Sequence, residues 1–134
     1  MRIKTLAKMF AAFRTKFITV KDPMKKNQLV KYYKLLIGLR QVFPLFNEDG
    51  ILIALCEVWK VSEEDEALIR EMKSPKKFWE GNIIYVAGVF MDPHFRNTGI
   101  YRFYRKLLKE YTCNGYRGFW YNPRRKEFTK LYGK

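Results

Sequence analysis

Cysteine and histidine are nearly absent: Cys56, Cys113 and the single His94 are all that occur in 134 residues. Two cysteines cannot form a disulfide scaffold. Neither has a second cysteine or a histidine at ligand spacing, so no metal site is expected. Long apolar runs are also missing. The longest, Ile51 to Val61, is interrupted by Glu57 and Lys60, well short of the roughly 18 residues that span a bilayer. There is no internal repeat and no Gly/Pro-rich linker, with only 8 glycines and 5 prolines. Acidic residues are scarce, 13 against 27 Lys and Arg, for a net charge of +14. What is abundant is apolar: 48% of residues are hydrophobic and 17% aromatic, which excludes intrinsic disorder. The length fits one domain over 1–134, with a basic two-helix part at 1–44 and a sheet-bearing part at 45–134.

The positive charge is unevenly placed. Residues 1–44 carry eleven bases and one acid, Asp22; residues 45–82 carry five bases and nine acids; residues 94–134 carry eleven bases and two acids. Such an excess favours an anionic partner, either nucleic acid or an acidic protein surface.

In the first segment Leu6, Phe10, Phe13 and Phe17 recur at helical spacing, with Lys8, Arg14 and Lys16 on other faces. An acid-free, Lys/Arg-rich start also resembles an organelle-targeting or membrane-surface helix; a first helix packed on the domain is the reading adopted. Asp22-Pro23 makes a turn, and a second helical stripe runs from Leu29 to Phe43, where Pro44 ends it. Asn47-Glu48-Asp49-Gly50 is a hairpin signal between Leu45-Phe46 and a strand at 51–61. Ser62 followed by four acids reads as an N-cap and first turn of a helix to about Met72. A strand follows at 82–91, a helix at 99–111 with Phe103, Leu107 and Leu108 on its apolar side, and a strand at 116–121. Pro123 then opens a last helix over about 124–132. The order α-α-β-β-α-β-α-β-α is an α/β pattern closing on a β-α-β unit. Trp59, Trp79 and Trp120 read as core residues, Cys56 as a buried inert thiol and Cys113 as an exposed one. His94 reads as a solvated loop residue. Arg124-Arg125-Lys126 would place positive charge at a helix start, against the dipole.

One segment carries chemistry. The strand ending at Val89-Phe90-Met91-Asp92-Pro93 is followed by Phe95-Arg96-Asn97-Thr98-Gly99-Ile100 and at once by a helix. The first N–H groups of a helix have no internal partner, and the helix dipole adds positive charge there, an arrangement suited to phosphate. Gly99 removes a Cβ from the path of a ligand.

These residues resemble the donor-binding motif of the GNAT superfamily of N-acetyltransferases, in which a strand ending in Val-x-Pro leads to Arg/Gln-x-x-Gly-x-Gly/Ala at a helix start. Residues 116–121 resemble the family's next strand, and Arg125 to Tyr132 its next helix, usually Asn-x-x-Ala-x-x-Leu-Tyr. The likeness covers about 50 residues. It implies a GNAT-like mixed sheet flanked by helices, and acetyl-CoA or another acyl-CoA as co-substrate. The backbone N–H groups of Asn97, Thr98, Gly99, Ile100 and Tyr101 would hold the pyrophosphate, with Arg96 adding charge at the same end. Val89 and Met91 would pair with the pantetheine arm. Tyr132 would be the general acid that protonates the departing thiolate, and Glu57, with Glu80 and Asp92 as alternatives, the general base.

Three departures accompany the match. Tyr101 replaces the motif's last small residue, and Arg125 and Phe128 replace the Asn and Ala of the later helix. The family's usual last two strands are expected to be missing, which leaves a sheet edge for an oligomer or protein partner to cover. The expected function is acyl transfer to an amine in the cytoplasm. The alternatives are an inactive GNAT-like structural protein, as in small phage-encoded members and then in the virion, or a basic nucleic-acid-binding module.

Overall fold

A computed structural model describes residues 2–96 and 98–131. Its elements in chain order are α1 (Ile3–Phe17), α2 (Lys26–Leu39), β1 (Val42–Phe46), β2 (Leu52–Val61), α3 (Glu63–Arg70), β3 (Ile83–Met91), a 3-10 turn (Pro93–Phe95), α4 (Ile100–Cys113), β4 (Arg117–Asn122) and β5 (Glu127–Lys130). The five strands form one sheet in the order β1-β2-β3-β4-β5. β1 and β2 are antiparallel, β3 and β4 parallel, and β4 and β5 antiparallel. The parallel pair is joined through α4, so the expected β-α-β unit is present. Two compact units divide the chain: residues 1–57 with 88–100, and residues 58–87 with 101–134. β2 and β3 run through both.

In the first unit, α1 and α2 contribute Ala7, Phe10, Ala11, Phe13, Leu29, Tyr32, Tyr33 and Leu36 to the core. Phe10 meets Tyr33 edge-on, with ring centroids 5.9 Å apart. α2 ends at Leu39, four residues earlier than the hydrophobic stripe suggests. Arg40 adopts a left-handed conformation, φ 57°, and the Gln41 N–H donates to Leu36 O at 2.9 Å. That is a C-terminal cap usually built on glycine, so no glycine or proline signals it in the sequence. The stripe continues past the helix because Val42–Phe46 is a strand. Pro44 lies inside it, paired with Leu55, and is tolerated because β1 is an edge strand. The β1–β2 turn is as expected: Asn47 Oδ1 accepts the N–H groups of Asp49 and Ile51, and Gly50 takes φ 76°.

In the second unit, Ser62 caps α3 through Asp65 N–H at 3.2 Å. The helix ends at Arg70 rather than Met72. Asp65 reaches forward from its first turn to accept the N–H groups of Lys76 and Lys77, at 2.9 and 3.3 Å. Val61, Ile69, Ile83 and Phe119 form the buried core, with Trp59, Tyr85 and Phe128 packed on it. The expected tryptophan core is only partly realised: Trp59 and Trp120 are half-buried and Trp79 is exposed. α4 buries Ile100, Tyr104 and Leu108, while Phe103 is 42% exposed, so its apolar face is rotated from the expected one.

The last expected helix is replaced by a hairpin. Tyr121 pairs with Phe128 and Asn122 with Glu127. Asn122 Oδ1 accepts the N–H groups of Arg124 and Arg125, and Lys126 takes φ 53°. An Asn that bonds its own downstream backbone favours a turn over a helix. Arg124-Arg125-Lys126 therefore lies at a hairpin tip, and the conflict with a helix dipole disappears.

Glu66 ties the elements of this unit together. Arg117 donates to both its oxygens, at 2.8 and 2.7 Å, and Arg70 donates at 3.0 Å. The hydrogen bonds from Arg117, with those from Arg70, hold its carboxyl below the ordinary glutamate range against the opposing effect of burial. Its folded pKa is depressed, so this stabilisation is present above the unfolded value and is lost as pH falls through the folded one. Glu66→Gln is expected to cost about 1–2 kcal/mol at neutral pH. Urea midpoints measured from pH 7 to pH 3 should converge for wild type and Glu66→Gln on the acid side. Parallel pH profiles would show that Glu66 contributes no proton linkage.

Candidate functional site

Arg14, expected on a solvated face, is 6% exposed. Its Nε and Nη2 donate to the two oxygens of Asp22, both at 2.9 Å. Its Nη1 lies 3.1 Å from each oxygen of Glu57. Glu57, 1% exposed, also accepts the hydroxyl of Tyr32 at 2.8 Å and that of Tyr33. The guanidinium is stacked over Phe90, 5.0 Å from the ring centre. Burial works against every charge here. It lowers the Arg14 pKa, but Asp22 and Glu57 more than reverse this, and the guanidinium is held firmly charged. Burial pushes the Asp22 carboxyl up, but Arg14 and the Met24 N–H outweigh it and hold it low. For Glu57, desolvation prevails over Arg14 and the tyrosines and raises the carboxyl. Burial and the Glu57 charge likewise raise Tyr33. Burial also raises the neighbouring Cys56 thiol, in keeping with an inert cysteine.

This placement bears on Glu57 as a base. Both its oxygens are engaged and solvent is excluded, so an acceptor amine has no path to it. Glu80 is exposed, with Lys77 Nζ 3.7 Å away. Asp92 accepts the His94 N–H at 3.0 Å and contacts the ring Nδ1 at 2.9 Å. That backbone bond leads the effects holding its carboxyl low, which makes it a weak base.

The loop after β3 is tightly built. The Asp92 N–H donates to Ile53 O at 3.0 Å, tying the strand end to β2. Pro93 opens the 3-10 turn. Arg96 N–H then donates to Pro93 O at 3.3 Å, and Thr98 donates to Phe95 O through both N–H and hydroxyl, at 3.1 and 2.6 Å. Gly99 has φ 84°, and a Cβ added there would meet nothing within 4 Å. Conformation, not crowding, demands glycine, and the space over its backbone is open. Ile100 follows, fully buried, and anchors the start of α4. Arg96, Thr98 and Gly99 are exposed. Tyr101 is 60% exposed, so its bulk is directed to solvent.

β3 itself is only partly paired on its β4 side. The parallel ladder runs from Ile83↔Arg117 to Val86↔Trp120 and stops, whereas β3 continues to Met91. Val89, in the continuing part, is 38% exposed and Met91 half-buried. A strand that outruns its parallel neighbour presents backbone N–H and C=O groups able to pair with an extended ligand.

The second unit has a separate pocket of about 280 Å³, walled by Trp59, Tyr85, Tyr121 and Phe128, with Ile69 and Met72 at one side. Burial, then the Tyr121 phenol, raises the Tyr85 hydroxyl. The sequence reading singled out neither tyrosine. Their only signal was their place in apolar strands, Tyr85 in β3 and Tyr121 in β4. Asn97 and Tyr132 lie outside the described residues. The helix on which Tyr132 was placed is, at 127–130, strand β5.

No protein-family model matches the chain, and no curated protein matches it. Among solved structures, it is similar to the GphF GNAT-like decarboxylase in complex with isobutyryl-CoA, with a TM-score of 0.60 and 14% identity. The match covers 90% of this chain and 62% of that one, so the chain spans less than two thirds of that protein's length. The likeness is one of fold: five strands in a mixed sheet, flanked by helices, form a GNAT-like α/β architecture.

The buried ion network makes a quantitative prediction. Arg14→Met leaves two carboxylates without their counter-charge and is expected to cost about 3–5 kcal/mol. Glu57→Gln keeps an acceptor for the tyrosine hydroxyls and should cost less. The Arg14→Met penalty should shrink by about 1–3 kcal/mol in the Glu57→Gln background. Chemical denaturation of the four proteins measures this coupling, and strict additivity would show that the two side chains act independently.

Proposed function

We propose that this chain binds acyl-CoA along β3 and the following loop and transfers the acyl group to an amine. The observation that carries the reading is the continuous run from unpaired β3 backbone, through the 3-10 turn, to Gly99 and the start of α4. In the first part, Val89 and Met91 pair with the amide groups of a pantetheine arm. In the second, the backbone N–H groups of Gly99, Ile100 and Tyr101 face the pyrophosphate, where the helix dipole favours negative charge. A solved structure of similar fold holds isobutyryl-CoA, which supports the ligand class. Acetyl-CoA is the simplest donor.

In the transfer, the amine nitrogen attacks the thioester carbonyl carbon and the C–S bond breaks. The nitrogen releases a proton and the CoA sulfur gains one. Tyr132 is the proposed donor of that second proton. The first passes to water, because Glu57 is sequestered by Arg14 and two tyrosines and Asp92 is held by His94. Glu57 acts here as an anchor for β2 and α1.

Thermal unfolding with acetyl-CoA, isobutyryl-CoA and free CoA tests the donor site. A ligand at about a hundred times its Kd adds about 2.7 kcal/mol, which raises Tm by roughly 5–10 °C for a chain of this size. Gly99→Glu, which forces a charged side chain and a strained φ onto the loop, should abolish the rise. Tyr132→Phe should keep the rise and lower turnover. No shift with any of the three ligands would overturn the reading.

A further inference from the structure

We propose that the outer surface of the α1–α2 pair is a sequence-independent binding surface for the phosphate backbone of nucleic acid. Residues 2–41 hold eleven bases. Arg14 is buried in the ion network, and the other ten, Lys4, Lys8, Lys31 and Lys34 among them, are all exposed. The single acid in this stretch, Asp22, is already committed to both arms of Arg14. The surface therefore carries ten cations with no free carboxylate from its own segment, Lys16 alone feeling the charge of Asp92 beyond it. Among the described residues none of the ten forms a salt bridge, whereas in the second unit Glu64, Glu66, Glu71, Glu80 and Glu127 each pair with a Lys or Arg. What sets the α1–α2 segment apart is the near absence of acids, eleven bases against Asp22 alone over residues 2–41.

The helices also order the charges. On α1, Lys4 and Lys8 lie one turn apart and are exposed, along the border of the face that buries Ala7, Phe10, Ala11 and Arg14. On α2, Lys31 and Lys34 lie away from buried Leu29, Tyr32, Tyr33 and Leu36. Lys21 and Lys25 extend the row through the connecting segment. A row of flexible cations without acids matches a repeated phosphate charge, and each phosphate neutralised releases counterions. An anionic membrane is disfavoured, because the apolar face of α1 is consumed by the core and cannot enter a bilayer. No base-reading aromatic accompanies the lysines, so contacts are to backbone phosphates, without sequence preference.

The test is fluorescence anisotropy with a labelled DNA duplex of about 20 base pairs, titrated from about 50 to about 300 mM KCl. Lys4→Gln/Lys8→Gln and Lys31→Gln/Lys34→Gln are compared with a charge-matched control in the second unit, Arg124→Gln/Arg125→Gln. Binding should weaken steeply with salt for wild type. Each helix pair should raise Kd about tenfold and reduce the salt slope by about 2, since each phosphate contact contributes about 1. The control should stay near wild type. Equal losses in all three variants would mean diffuse attraction and would overturn the assignment. So would absence of duplex binding at the lowest salt, whether or not vesicles of anionic phospholipid bind. Circular dichroism of each variant confirms folding. The outcome is independent of acyl-CoA binding, which the thermal shifts read separately.

Discussion

Arg14 is the hinge of the first unit. A guanidinium placed in the interior is tolerable only if every N–H finds an acceptor and its charge is balanced. Asp22 supplies a two-point contact from the segment after α1. Glu57 supplies the second carboxylate from β2, and Tyr32 and Tyr33 of α2 satisfy the oxygens that remain. One side chain therefore fixes α1, the α1–α2 connection, α2 and the centre of the sheet to one another. Phe90 stacks on the same guanidinium, so the strand that leads into the proposed donor loop is set against that fixed point. Because Asp22, the one acid of the α1–α2 segment, is spent inward on Arg14, the outward lysines have no acid from their own segment to offset them. The buried network and the cationic surface are two consequences of one arrangement.

The loop between β3 and α4 shows how short-range chemistry shapes the proposed donor site. Asp92 caps the 3-10 turn, Thr98 closes it onto Phe95, and Gly99 turns the chain into the helix with a positive φ. The backbone amides that follow lie at the helix start, where intrahelical partners are lacking. Buried Ile100 holds that start in place. Such anchoring favours the proposed ligand, because amides that must first be ordered give up binding free energy. The decision to end the β3–β4 ladder at Val86 leaves the rest of β3 available on the same chain segment that feeds the loop.

Much of this was legible in the sequence. The β-hairpin followed from Asn47 to Gly50, the α3 cap from Ser62, and the β3-loop-α4 segment from a strand, a glycine and a helix in immediate succession. The parallel β-α-β unit and the GNAT-like architecture followed from that segment. What was missed has common causes. Arg14 was assigned to solvent because charge alone does not reveal a buried partner 43 residues away in sequence. The end of α2 was invisible because Arg40, not glycine, adopts the left-handed cap. Glu127–Lys130 was read as helix because a Pro just after a strand suits a helix start as well as a turn; the Asn122 side chain decides for the turn. Glu57 drew attention as a carboxylate in a strand, and its three donors, Arg14, Tyr32 and Tyr33, distributed over two helices, could not be seen in one dimension. Tyr85 and Tyr121 were absorbed into apolar strands, and only the sheet register brings them to one pocket.

The central claim is that the β3-loop-α4 segment receives acyl-CoA. Amide chemical shifts of uniformly ¹⁵N-labelled protein, followed during titration with acetyl-CoA, test it most directly. The account predicts that the largest shifts fall on Val89, Met91, Thr98, Gly99, Ile100 and Tyr101, and saturate together. Saturating shifts centred on other residues, with this segment unmoved, would contradict it.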